Sequence, residues 1–111
     1  MAKVENCTPH PVTIVRRLAN GHTAFVREYP PAETPVRLAV QVEKRGEVDG
    51  VPLSRTFFGD PVNLPPQRRG VLLIVSQLVK NACPWRPDLV VPAEVVRDSR
   101  GVIVGCESLG L

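Results

Sequence analysis

The chain has 111 residues, 43% of them hydrophobic and 23% charged, which suits one soluble β-rich domain over residues 1–111. Fourteen Lys and Arg against 11 Asp and Glu leave a net charge of +3, too mild and scattered for the dense basic stripe of a nucleic-acid binder. No apolar run reaches the ~18 residues of a membrane span, so neither a membrane nor a nucleic acid is expected as partner.

Twelve prolines, about twice the usual share, fall between apolar runs and punctuate short strands. In chain order, VENC and PVTIVRRL predict two strands. Asn20-Gly21 in ANGH marks a tight hairpin, because both turn residues tolerate positive φ, and HTAFVREY is its returning partner. PPAETP is a stiff loop. In VRLAVQVEKRGEV the alternation places Val36, Leu38, Val40 and Val42 on one face, with a bulge expected at Gly46. Asp49-Gly50 supplies a second turn before the strand VPLSRTFF, and GDPVNLPPQRRG follows as a loop.

VLLIVSQLVKNAC predicts a buried strand over Val71–Val75. Ser76 then caps a short helix that presents Leu78, Val79 and Ala82 on one face and ends before Pro84. DLVVP, EVVRD and GVIVGC predict the closing strands, with DSRG as the last turn. Seven to nine short strands and one helix make a mainly β (β-rich α+β) fold, a small antiparallel sandwich or partly open barrel. With few aromatics in the sequence, the core is expected to be mostly Val, Leu and Ile. So small a sheet has open edges, and pairing with further copies would cover them, so a homo-oligomer is expected.

Cys7, Cys83 and Cys106 are odd in number and far apart, which argues against a disulfide framework. The opening MAKVENCTPH has no long apolar segment of a secretory signal. The expected compartment is the cytoplasm of a bacterial host cell.

The chemical candidates are few. Thr8 and His10 each precede a proline and are held extended, so His10 is read first as a strand-entry residue that can reach a pocket. Cys7 and His10 have a Cys-x2-His spacing that His22 or Cys106 could complete, but structural zinc sites use two closely spaced ligand pairs. No metal or cofactor is predicted. Neither a nucleophile elbow nor a phosphate-cradling glycine loop is present, so no catalytic residue is assigned. Arginine forks grip phosphate or carboxylate and stack on aromatic rings. Arg37, Arg86 and Arg97, with Asn81 as an amide and Phe58 or Trp85 as a stacking face, would together suit a small anionic, nucleotide-like ligand.

Three stretches, CTPHPVTI, VLLIVSQLV and DLVVPAEVVRDSRGVIVGCESLG, follow the pattern Asn-x-Thr-Pro-His-x-Val, Ile-Val-Ser-x-x-Val and Arg-Asp-x-x-Gly-x-Ile-x-Gly-Cys. In this the chain resembles a group of small, largely uncharacterised proteins of bacteriophages, prophages and bacterial genomes. It departs at Cys7, where leucine is usual, and in GVIVGC, where GRIIGC is commoner. Small oligomeric β-rich phage proteins include anti-defence sponges of the Thoeris type, which bind cyclic ADP-ribose variants without cutting them. With that analogy of size and origin, the first expectation is a non-enzymatic phage-type protein that sequesters a small anionic, nucleotide-like molecule, a cyclic ADP-ribose-type immune signal being one candidate. The second is a protein–protein interaction or structural module. The third is an enzyme acting on nucleotides or phosphate esters.

Overall fold

The computed structural model describes residues 2–111. The elements follow as β1 (Lys3–Asn6), β2 (Val12–Arg17), β3 (Thr23–Tyr29), β4 (Arg37–Val48), β5 (Val51–Val62), β6 (Val71–Ile74), α1 (Gln77–Ala82), β7 (Leu89–Arg97) and β8 (Ile103–Gly110). Six strands form one sheet in the order β1-β6-β7-β8-β2-β3, while β4 and β5 pair only with each other. The larger sheet curls into a nearly closed barrel. Its two edges meet where the Asn6 amide on β1 donates to the carbonyls of Tyr29 and Pro30 at the end of β3. The fold is therefore mainly β, a partly open barrel with one short helix, as the pattern of strands and turns predicts.

The pairing is less uniform than the prediction. β2–β3, β4–β5 and β7–β8 are antiparallel, but β1–β6, β6–β7 and β2–β8 are parallel. A crossover is what returns a chain in the same direction, and α1 with its flanking loops supplies one between β6 and β7. Ser76 starts the helix, its Oγ accepting from the Val79 N–H at 3.2 Å. Cys83 closes it by donating its N–H to the Lys80 carbonyl. Of the apolar face expected there, Val79 is buried and Ala82 packs against the same core, while Leu78 stays half exposed.

The sheet is buried on both sides at its centre. Along β6 and β7 successive side chains alternate, as the strand repeat requires. Leu73 and Leu89 join Cys7, Val36, Leu38, Val75, Val79 and Cys83 in an outer core beneath α1 and the root of the β4–β5 hairpin. Ile74 and Val90 join Val12 and Cys106 in an inner core, which Val4, Ile14, Tyr29, Leu72 and Leu109 line from the remaining strands. Aliphatic residues dominate both cores, and all three thiols are buried and unbonded.

Local chemistry accounts for the ends of the elements. Asn6 uses its whole amide. Its Oδ1 accepts from the Thr8 N–H and hydroxyl, and its Nδ2 also donates to the His10 carbonyl at 2.8 Å. At Asp49-Gly50 both turn residues have positive φ, as Asp-Gly predicts, whereas at Asn20-Gly21 only Gly21 does. Two boundaries differ from the sequence reading. β5 runs on through Gly59–Val62, because a register shift opposite Leu38–Val40 absorbs an extra residue and keeps Pro61 paired. DLVVP and EVVRD form one strand, β7, bent at Glu94, whose φ is 52°. Among the described residues no helix is long and apolar enough to cross a membrane.

Candidate interaction surface

β4 and β5 build a hairpin of 12 residues per strand, about 40 Å long at ~3.4 Å per residue. Only its root belongs to the body. Leu38 is buried, Pro61 and Val62 are half-buried, and every residue from Ala39 to Asp60 is exposed. The hairpin is an arm. It makes the molecule 53 × 39 × 23 Å, with a radius of gyration of 17.4 Å, where a compact chain of this length would have about 13 Å. The chain exposes 8030 Å², whereas a compact monomer of 12.2 kDa exposes roughly 6,000 Å². The excess is on the order of 2,000 Å².

The arm is apolar where a solvated hairpin would be polar. Val40, Val42, Val48, Val51, Leu53, Phe57 and Phe58 are each 40–61% exposed. The register puts Val40 opposite Phe58, on the face that continues outward from Leu38, and Phe57 opposite Gln41 on the other face. A second register shift, between Lys44 and Glu47, contains Gly46 at φ 88°, the bulge that the glycine predicts. Polar groups on the arm serve the arm itself. Glu43 pairs with Arg45, and the Arg55 guanidinium lies 5.3 Å from the centre of the Phe57 ring. From Arg37 to Val62 there are four basic residues (Arg37, Lys44, Arg45, Arg55) and four acidic ones (Glu43, Glu47, Asp49, Asp60), so the arm is neutral.

On the body, an open groove of about 400 Å³ lies beside the line where β2 meets β8. Its floor is Val12 and Cys106 of the inner core, and its walls are Pro11, Pro92, Val95, Ile103 and Val104, with no charged side chain among them. Val95, Ile103 and Val104 are 41–55% exposed. The Cys106 thiol points at the Thr13 carbonyl, 3.7 Å away, and burial pushes its pKa up. Burial also raises Cys7. Both are core thiols rather than activated nucleophiles.

The side chains chosen from sequence for an anion site are dispersed. Arg37 starts β4 at the arm's root and Phe58 lies midway along β5. Asn81 sits on α1, its Oδ1 accepting from Gln77, and Trp85 is exposed just after that helix. Arg97 is at the far end of β7 and donates to the Gly101 carbonyl at 2.9 Å. His10 has an exposed side chain between β1 and β2, while its carbonyl accepts from Asn6 and from the Thr8 hydroxyl. Arg86 is committed internally. Nε and Nη2 each reach the nearly buried Asp88 carboxylate at 2.8 Å, and Nη2 also reaches the Pro65 carbonyl at 2.9 Å. Phe58 borders a notch on the arm, and none of the other predicted residues lines the apolar groove. Among the described residues no three His, Cys, Asp or Glu side chains gather closely enough to hold a metal.

No family model, curated protein or solved structure matches the chain. The functional reading therefore rests on the geometry of the arm and the groove. Neither has a motif in the sequence: the apolar alternation that runs out along β4 and the adjacent Phe57-Phe58 on β5 read equally well as core positions, and only their exposure in the fold sets them apart.

Proposed function

We propose that the protein is a non-enzymatic assembly module, the second of the three readings that the sequence opens, and that the β4–β5 arm is its docking element. The observation that carries this is the arm's exposure: a two-stranded hairpin with apolar side chains on both faces and nothing packed on either. An isolated hairpin is marginally stable in water, and exposed apolar patches beyond ~300–600 Å² mark interaction sites. The arm's zero net charge favours an apolar protein surface over nucleic acid or an anionic ligand. The scatter of Arg37, Asn81, Trp85, Arg97 and His10, with Arg86 already bound to Asp88, favours docking over capture of a nucleotide-like molecule.

Sedimentation velocity and native mass spectrometry of the purified protein test the reading. The expected result is an assembly larger than 12.2 kDa, with itself or with a protein partner. A Val40→Lys/Phe58→Glu double variant, altered only at exposed positions, should lose that assembly while its melting temperature moves by no more than a few degrees. A lone monomer that carries a small anionic molecule, released intact on heating and retained by the double variant, would instead establish the sequestering reading.

A further inference from the structure

Every copy of this chain carries two uncovered apolar surfaces of different shape. One projects, the arm with Phe57 and Phe58 at mid-length. The other is recessed, the uncharged groove floored by Val12 and Cys106. Within one chain the two do not meet, because Val95, Ile103 and Val104 remain 41–55% exposed beside the groove. Their origins differ as well. The arm grows from the outer core at Leu38, and the groove opens into the inner core.

We infer that the arm's partner is a second copy of this chain, and that the face bearing Val40 and Phe58 docks in the second copy's groove between Pro11, Pro92 and Ile103. This deepens the assembly reading and rests on it. Three observations support the assignment. The excess surface, on the order of 2,000 Å², exceeds the ~800 Å² that each partner gives to a standard interface, and it is ample for a permanent one. The groove has no charged lining residue, so it is poorly matched to an anion and well matched to Val and Phe side chains. Lastly, the arm's neutrality removes the repulsion that would arise between identical basic bodies meeting through charged faces. Because arm and groove are different patches, the contact is heterologous. It closes if two copies exchange arms reciprocally, or if a ring of copies passes each arm to the next.

The test mixes two variants that each spoil one half of the contact. Val40→Lys/Phe58→Glu removes the arm's apolar face, and Ile103→Glu puts a charge in the groove. Both sets of positions are exposed, and matching melting temperatures would show that each variant is folded. At a concentration where the wild type is assembled, each variant alone should sediment as a monomer. An equimolar mixture should form a 1:1 species, because the arm of the groove variant still fits the groove of the arm variant. As a second readout, Phe58→Cys and Ile103→Cys chains mixed under a mild thiol oxidant should give a disulfide-linked heterodimer and little of either homodimer.

A groove variant that assembles like the wild type, or Phe58→Cys chains that link chiefly to each other, would overturn the groove assignment and leave the arm as the docking element. A monomeric wild type would overturn self-association. The wider assembly reading would then stand or fall on whether the arm variant loses a protein partner that the wild type binds.

Discussion

Arg86 shows how a residue suited to ligand binding can be used up by the fold. Its side chain is 12% exposed and that of Asp88 5%, so removing one charge leaves the other buried without a partner. Breaking such a pair costs about 3–5 kcal/mol, and Arg86→Ala should lower the melting temperature by more than about 10 °C. Arg97→Ala, which loses one exposed bond to the Gly101 carbonyl, should shift stability by less than about 1 kcal/mol. The hydrogen bond from Arg86 holds the Asp88 carboxyl below the ordinary carboxylate range, and Asp88 in turn raises Arg86. A depressed carboxylate pKa contributes stability above the unfolded value, and that contribution fades as pH falls through the folded one. Thermal denaturation at pH 7 and pH 3 should therefore show the gap between wild type and Arg86→Ala narrowing in acid. A gap of equal size at both values would mean that packing of the arginine stem, not the ion pair, sets the loss. The signal was present in the sequence: Arg86-Pro87-Asp88 sets two opposite charges across a proline whose fixed φ helps hold them together.

At the level of elements, the stretches that the sequence singles out as motifs carry structural tasks. Asn6 and Thr8 tie the exit of β1 to His10, Ser76 caps α1, and Asp98 accepts from the backbones of Arg100 and Val102 to close the last turn. Gly105 is needed for a close approach, since a Cβ there would lie 2.8 Å from the Thr13 carbonyl and 2.9 Å from a Val15 methyl. Gly105→Ala should push β8 off β2 at a cost of about 1–3 kcal/mol, as overpacking usually does, and should widen the groove beside it. Chemical denaturation would measure the loss, and an unchanged midpoint would show that β2 can yield. Residues with such local duties are what sequence reads well. The hairpin turns at Asn20-Gly21 and Asp49-Gly50, the Gly46 bulge and the Ser76 cap all follow from nearest-neighbour chemistry. The parallel pairings of β1 with β6 and β2 with β8 were not legible, because they depend on which distant strands meet. Nor was the arm. Val36, Leu38, Val40 and Val42 alternate without a break, and only the structure shows that the chain's own core ends at Leu38 and that the later positions face solvent.

For the whole molecule, the separation of charge from apolar surface decides what kind of force can join copies. The arm is neutral, so the net charge of +3 belongs entirely to the remaining residues, ten basic against seven acidic. The groove lining contributes no charge to either total. If assembly runs through arm and groove, added salt has little attraction to screen, and at most it relieves a weak repulsion between basic bodies. The dissociation constant should therefore stay within about threefold between ~50 mM and ~500 mM salt, or tighten slightly. Calorimetry of dilution should show the negative heat-capacity change of association that apolar burial produces. A contact made by the exposed arginines would behave in the opposite way, weakening at least tenfold over that range with little heat-capacity change. Such a result would move the interface from the arm to the charged faces of the barrel, where Arg16, Arg17 and Arg69 are exposed.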